Sequence, residues 1–185
     1  MPAIDAGAPV TVLAGIHPGC WELIARDGVG SIMELRGGRI GVDDLTSEPP
    51  VLLTVMARYV GLDPLLDFEW VRHPQASSKE LFIAGAIDAF MGFAPEPQEL
   101  RARGIGHTIL STTLDRLWSQ YFCCMLAGRS DYVDRHPIAT KRVLRAVLKA
   151  ADLCGSAPER MARRMVDGGF VDRYDFATAS PQPPI

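Results

Sequence analysis

Short apolar runs separated by glycine, proline and acidic residues make up most of the first two thirds of the chain. The first two runs, 11–16 and 20–25, are bounded by Gly/Pro residues and by Asp27-Gly28. Short β-rich runs with such boundaries favour two buried strands over one helix. The tripeptide His-Pro-Gly at 17–19 is therefore predicted to be the turn between these strands.

From about residue 38 to residue 113, predicted strands alternate with predicted helices. The strands are expected at RIGVDDL, DFEWVRH, AIDAFMGF and HTILSTT. Ser47 and Ser77 occupy N-cap positions, and Glu80, three residues after Ser77, is in register for a capping box. This alternation predicts a small α/β lobe with a largely parallel sheet.

The last third of the chain is predicted to be mostly helical. The run YFCCMLAG, 121–128, reads as a strand buried on both faces, and a long helix is expected from about residue 137 to residue 153. The ending SPQPPI is too rich in proline to pack, so residues 179–185 are expected to form a loose tail.

Composition and charge narrow the class of protein. With 185 residues that are 48% hydrophobic, the chain can bury a core, and its net charge is −3. It has no lysine or arginine run that could follow a phosphate backbone, so nucleic acid is not an expected partner. No apolar run approaches the roughly 20 residues of a membrane span, and the start MPAIDAGAPV lacks a signal-peptide pattern, so no export signal is predicted in this chain.

The segment DDLTSEPP is the first candidate for ligand binding, because a loop that opens a helix can aim free backbone N–H groups at a ligand. Thr46 and Ser47 would add hydroxyl donors, and the alternative is an ordinary helix cap. Asp88 falls in an apolar strand, where a carboxylate needs either a structural partner or a ligand. Trp118 precedes the YFCC strand and could line a small-molecule cleft or pack between two lobes of the protein.

The cysteines give weaker signals. His17 and Cys20 could form a base and nucleophile pair, but the sequence favours a turn histidine beside a buried cysteine, because no third, orienting residue is apparent. Cys123 and Cys124 are adjacent in a predicted strand, so their side chains point to opposite faces and cannot chelate one metal together. The motif set lacks nucleotide, zinc-protease and hydrolase signatures, and we expect neither a metal nor a cofactor.

Several segments in order resemble a known family: TVLAGIHPGCWELIAR, SIMELRGGRIGV, GLDPLLDFEWV, GAIDAFMGF and LWSQYFCCMLAGRSDYVDRHPIATKRVLRAVLKAADLC. Together they resemble the substrate-binding proteins of ABC importers in the nitrate, sulfonate, taurine and thiamine-precursor group. SIMELRGGRIGV is similar to the crossing into the second lobe, with Glu34 and Gly38 where that group has Asp and Lys. GAIDAF is similar to a recurrent Gly, x, hydrophobic, Asp, Ala segment.

The resemblance implies a periplasmic-binding-protein type II fold, α/β, with two lobes that close over a ligand. Residues 1–36 would end the first pass through lobe one, residues 37–112 would form lobe two, and residues 113–178 would return to lobe one. The early strands of lobe one have no counterpart before Val10, so lobe one is expected to be incomplete and the chain truncated.

The resemblance further implies capture of a small solute, such as a sulfonate or nitrate, for an ABC transporter permease. The protein would be a non-enzymatic, extracytoplasmic monomer when complete. The ligand-binding residues expected are His17, Gly19, Cys20, Thr46, Ser47, Asp88, Phe93 and Trp118. Two alternatives stay open: a pyrimidine-precursor synthase of the same structural group, based on Cys123-Cys124, and a remnant that binds nothing.

Overall fold

The computed structural model describes residues 2–73, 77–171 and 174. The strands in this part of the chain are β1 (Val10–Pro18), β2 (Trp21–Ala25), β3 (Arg39–Val42), β4 (Glu69–Arg72), β5 (Ala89–Phe93), β6 (His107–Ser111) and β7 (Phe122–Arg129). The helices are α1 (Pro2–Asp5), α2 (Glu48–Tyr59), α3 (Ser78–Ile83), α4 (Glu96–Ala102), α5 (Ser130–Arg135), α6 (Pro137–Ser156) and α7 (Pro158–Asp167), with a 3₁₀ turn at Ile32–Leu35.

The described chain forms two compact units. One contains residues 20–118, and the other contains residues up to 19 together with residues from 119 onward. The first boundary differs from the predicted one at residue 36, because β2 and the 3₁₀ turn belong to the sheet and core of the 20–118 unit. The predicted tail, 179–185, lies outside the described residues.

The 20–118 unit is built on a five-stranded sheet with the order β4-β3-β5-β2-β6. β3 is parallel to both β4 and β5, whereas β2 is antiparallel to its two neighbours, β5 and β6. The prediction of a largely parallel sheet covered residues 38–113, and the four strands of that segment do run in one direction. Strand β2, which was not expected in this sheet, runs in the opposite direction. Strand β2 precedes the alternation and inserts between β5 and β6, which periodicity along the chain does not reveal.

Each face of this sheet buries its own apolar cluster, because side chains alternate between faces along a strand. On one face Leu23 of β2 packs with Leu53 and Met56 of α2, and all three are completely buried. On the other face Ile24 packs with Phe82 of α3 and Leu100 of α4. The fold is thus α/β, as predicted, and it has helices on both faces of the sheet, so that α2 and α3 are fixed in position by the core.

Of the two predicted N-cap serines in this unit, Ser77 caps its helix with its side chain and Ser47 does not. At α3 the capping box is complete, since the Ser77 side chain accepts a hydrogen bond from the Glu80 N–H and the Glu80 side chain accepts one from the Ser77 N–H. At α2, Ser47 is the N-cap residue but its side chain makes no capping hydrogen bond. That hydroxyl bonds within the preceding loop instead.

The second unit contains an antiparallel pair of strands, β1 and β7, against which α5 and α6 pack. Strand β7 was predicted to be buried on both faces, and that prediction is wrong: its residues are exposed or half-buried, and none is buried. An apolar run indicates strand propensity, but the burial of each face depends on the elements that cover it. Here β7 pairs with a single strand in a two-stranded sheet.

The predicted turn at 17–19 is shorter than expected. Strand β1 continues through His17 and Pro18, so Gly19 and Cys20 alone connect it to β2. Gly19 has φ +53°, a left-handed conformation that glycine adopts without steric cost. The antiparallel pairing of His17 with Cys124 of β7 extends the strand through this histidine.

Candidate functional site

One edge of the five-stranded sheet collects the ends of most of its strands. The carboxyl ends of β3, β4, β5 and β6 meet there with the amino end of β2. We call this the carboxyl edge and define it by residues 20–21, 43–48, 93–96 and 111–113. Ligands of open α/β sheets bind outside the carboxyl ends of the strands.

The loop from β3 to α2 at this edge folds back on itself. The N–H groups of Asp44, Thr46 and Ser47 donate to Asp43 Oδ1, Asp44 Oδ1 and the Asp44 carbonyl at 2.8, 2.9 and 3.1 Å. The Thr46 hydroxyl donates to Asp44 Oδ2 at 2.9 Å, and the Ser47 hydroxyl donates to the Asp44 carbonyl at 2.6 Å. The backbone and side-chain hydrogen bonds from Thr46 hold the pKa of Asp44 below its usual value.

These contacts change the interpretation of Thr46 and Ser47. Both residues were predicted to present hydroxyl donors to a ligand, and in the structure both hydroxyls are already donated to the loop's own oxygens. The α2 start is also poor in free backbone donors, because Pro49 and Pro50 follow Glu48 in its first turn and proline has no N–H.

An aromatic pair stands beside this loop. Trp21, at the start of β2, and Phe93, at the end of β5, are cross-strand partners with ring centroids 5.2 Å apart in an edge-to-face arrangement. The Trp21 indole N–H donates to Glu48 Oε1 at 3.3 Å, which links the pair to the first turn of α2. Phe93 remains 52% exposed, so the pair presents apolar surface at the carboxyl edge.

A small cavity of about 40 Å³ lies between β3 and the start of α2. Its lining includes Val42 and Asp43 at the end of β3, Pro49 and Pro50 of α2, and Ser78 of α3. The Ser78 hydroxyl and His73 Nε2 hydrogen-bond to each other at 3.0 Å, and His73 is buried. This volume is well below the several hundred Å³ typical of pockets for drug-sized ligands, so it would accommodate one small group.

The β6 side of the carboxyl edge is held together by Thr112. Its Oγ1 accepts hydrogen bonds from the N–H groups of Cys20 and Trp21 at 3.0 and 2.9 Å and donates to the Trp21 carbonyl. The Ser111 N–H donates to Asp115 Oδ2 at 2.6 Å. These bonds fix the start of β2, and therefore the position of Trp21, relative to the end of β6.

Glu96 follows β5 at this edge, and burial raises its pKa above the usual range. The nearby positive charge of Lys79 and a hydrogen bond from the Phe93 N–H act in the opposite direction without cancelling the effect. The Phe93 N–H is thus engaged as well. Lys79 itself forms an ion pair with Glu99 at 2.7 Å.

Asp88, also predicted to bind the ligand, does not lie at the carboxyl edge. It immediately precedes β5 and therefore lies at the amino edge of the sheet, opposite Phe93. Its carboxylate forms ion pairs with Arg26 at 2.6 Å and Arg39 at 2.8 Å and accepts the Arg39 N–H at 2.8 Å. Burial opposes ionisation, but the hydrogen bonds and charges of the two arginines outweigh it and lower its pKa. Asp88 is accounted for as a structural carboxylate.

Trp118 is also separate from the α2 start. It is half-buried, packs against the core and meets Tyr59 edge to face with centroids 5.9 Å apart. Tyr59 ends the 12-residue helix that Ser47 precedes. At about 1.5 Å per residue, this places Trp118 roughly 18 Å along the helix from Ser47. The structure thus brings Phe93, Thr46 and Ser47 to one edge and Asp88 and Trp118 elsewhere.

The remaining predicted residues are near the boundary of the two units. His17 is exposed in β1, and its Nδ1–H donates to the Gly19 carbonyl at 3.1 Å, whereas Gly19 itself is buried. Cys20 is half-buried, and its N–H is bound by Thr112. Cys123 is half-buried and Cys124 is exposed in β7. Whether His17, Gly19 and Cys20 contact a ligand stays a prediction.

Sequence reasoning missed Trp21 and Glu48 as members of the carboxyl edge. Trp21 was visible only as part of an apolar strand, and its neighbour Phe93 lies far along the chain. The signal that would have found the pair is the cross-strand register, which depends on β2 lying next to β5.

The 20–118 unit is an α/β domain in which the ends of most strands meet at one edge, the edge at which ligands of such domains bind. The chain belongs to the NMT1-like family, whose model matches residues 23–166. No helix among the described residues is both long and apolar enough to span a membrane.

Two curated proteins are similar over part of the chain. The bicarbonate-binding protein CmpA of Synechococcus elongatus is 31% identical over 100 residues, which is 54% of this chain and 22% of that protein. The nitrate/nitrite binding protein NrtA of Synechocystis is 29% identical over 100 residues, with the same shares. The matched segment therefore spans about a fifth of these relatives.

Solved structures show that the fold is the α/β periplasmic-binding-protein type II fold. The periplasmic aliphatic sulphonate binding protein SsuA of Escherichia coli superposes with a TM-score of 0.77 at 18% identity, over 95% of this chain and 56% of that one. The periplasmic nitrate-binding protein NrtA of Synechocystis superposes with a TM-score of 0.69 at 20% identity, over 89% of this chain and 48% of that one. The chain thus spans about half the length of these proteins.

Proposed function

We propose that this chain is a solute-binding component of an ABC importer and that its 20–118 unit contributes the carboxyl edge as one wall of the ligand site. Family membership and the names of the curated relatives, all binding proteins, support ligand capture over catalysis. The permease partner and an extracytoplasmic location belong to the same proposal.

The Trp21–Phe93 pair is the main observation that supports a ligand site at the carboxyl edge. Large apolar side chains at a solvent-exposed sheet edge lose favourable burial unless something covers them. Phe93 is 52% exposed while the strand that precedes it is buried. A small ligand seated against the pair would cover that surface, and the cavity of about 40 Å³ lined by Asp43 and Pro49 would take one of its polar groups.

The test is a thermal-shift screen of the full chain against nitrate, bicarbonate, small sulfonates, pyrimidines, aromatic acids and small amines. A ligand that binds only the folded state raises its melting temperature in proportion to RT ln(1 + [L]/Kd). We expect at least one compound to give a saturable shift. No saturable shift from any compound would contradict ligand capture by this chain.

The variant Phe93→Leu locates the site. It removes the ring but keeps a branched apolar side chain at a half-exposed position, so the fold is expected to tolerate it. The shift from the binding compound should shrink in Phe93→Leu. The matched control is Tyr59→Leu, which removes an exposed ring at the other end of α2 and should leave the shift unchanged.

A further inference from the structure

The chemical class of the solute can be inferred from the hydrogen-bonding groups of the carboxyl edge, and this inference rests on the proposed function. An anion binds where N–H and O–H donors are free to point at it. At this edge the N–H groups of Cys20, Trp21, Asp44, Thr46, Ser47, Phe93 and Ser111 all donate to oxygens of the chain itself.

The start of α2 removes a further source of donors. In a typical helix the first-turn N–H groups are unpaired and favour an anion. Here Pro49 and Pro50 have no N–H, and the side chain of the remaining first-turn residue, Glu48, carries a negative charge. An anion at this helix start would meet a carboxylate and two prolines.

The charges exposed at the edge are mostly negative. Asp43, Asp44 and Glu48 are exposed acidic side chains of the β3–α2 segment. Two cations lie near the edge. The charge of Arg72 contributes, after the hydrogen bonds of Thr46, to the lowered pKa of Asp44, and Lys79 is paired with Glu99.

An aromatic surface lies next to these carboxylates. Trp21 contacts Phe93 on one side and donates to Glu48 on the other, so the ring pair and a carboxylate are joined in one group. A positively charged nitrogen is attracted by an aromatic face and by a carboxylate, and the two attractions act together when both are within reach.

We propose that the solute held at the carboxyl edge carries a positively charged nitrogen next to an apolar or aromatic group, as an organic ammonium or amidinium does, and that the edge disfavours simple inorganic anions and sulfonates. The nitrogen contacts Glu48 and Asp43, and the apolar group covers Phe93. This reverses the charge of the ligand expected from the sequence resemblance.

The test compares three compounds that share one ring: benzylammonium, neutral benzyl alcohol and benzenesulfonate, with nitrate as a ringless anion. Binding to the full chain is measured by titration calorimetry at neutral pH and low salt, where surface charge is least screened. Benzylammonium should bind more tightly than benzyl alcohol, and benzenesulfonate and nitrate should bind more weakly than both.

Two conservative variants assign the preference to the carboxyl edge. Glu48→Gln keeps an oxygen to accept the Trp21 N–H, and Asp43→Asn keeps an oxygen for the Asp44 N–H, so each removes charge with little change of shape. Each should weaken benzylammonium by about threefold to thirtyfold, the range of an exposed to partly desolvated charge contact. Glu69→Gln, an exposed residue at the opposite edge of the same sheet, is the matched control and should change nothing.

The outcomes separate the two proposals. Tighter binding of benzenesulfonate or nitrate, or an affinity for them that rises in Glu48→Gln, would leave solute capture intact and overturn the inferred charge. Equal loss of benzylammonium affinity in Glu48→Gln and Glu69→Gln would mean that only the net charge of the protein matters. That result would also overturn the inferred contact with the carboxyl edge. No binding of any of the four, together with a negative broad screen, would contradict both.

Discussion

At the scale of single residues, Asp88 shows how a buried charge is retained in this fold. Its carboxylate, almost fully buried, is surrounded by Arg26, Arg39 and the Arg39 N–H. Removing the carboxylate would leave the two arginines without their partner. Loss of one partner lowers the stability of a protein by more than the intact ion pair contributes to it. We therefore predict that Asp88→Asn lowers the free energy of unfolding by about 2–4 kcal/mol in urea denaturation at neutral pH.

The same carboxylate gives a pH signature. Because the folded pKa of Asp88 lies below its ordinary 3.8, its stabilisation is complete above that value and is lost as the pH falls through the lower, folded pKa. The difference in stability between the native chain and Asp88→Asn should therefore shrink as the pH is lowered from about 5 towards 3. Asp27→Asn, at a 92% exposed side chain, is the control and should stay within about 0.5 kcal/mol of the native chain. A constant Asp88→Asn effect across this range would contradict the ion-pair explanation.

At the scale of elements, two N-cap serines with similar sequence settings differ in what they bind. Ser77 caps α3 through a complete capping box, whereas Ser47 bonds the Asp44 carbonyl and leaves the α2 turn without a side-chain cap. Ser77→Ala should cost about 1 kcal/mol of unfolding free energy, the usual cost of a lost N-cap. Ser47→Ala should cost less, because the loop retains its other hydrogen bonds. Equal losses of unfolding free energy in the two variants would contradict this difference between the two serines.

This pair also shows what the sequence could and could not reveal. The capping box at Ser77 is a local pattern, and local patterns predicted it, as they predicted the strand and helix order of the 20–118 unit. The hydrogen bonds of Ser47 depend on Asp43 and Asp44 turning inward, a choice between caps and loop contacts that spacing leaves open. The burial of β7, the insertion of β2 and the Trp21–Phe93 contact depend on distant elements, and they were missed or predicted wrongly.

At the scale of the whole molecule, burial is unequal between the two units. The apolar clusters of the described chain lie in the 20–118 unit, whereas α6 and α7 are mostly exposed along their length. Amide protection follows burial and local contact density. Hydrogen-exchange mass spectrometry of the full chain should therefore find β2 and β5 exchanging slowest and β7 and α6 markedly faster. Equal protection of β5 and α6 would contradict this distribution of stability.

The proposal that concerns the whole molecule is that the carboxyl edge of the five-stranded sheet holds a small solute. Its most direct test is amide-resolved NMR of the full chain, titrated with the compound that gives the largest thermal shift. The account predicts saturable changes concentrated at Trp21, Glu48, Gly92 and Phe93, the residues that surround the aromatic pair. Changes centred on Arg39, Gly85 and Asp88, at the opposite edge of the sheet, would contradict it.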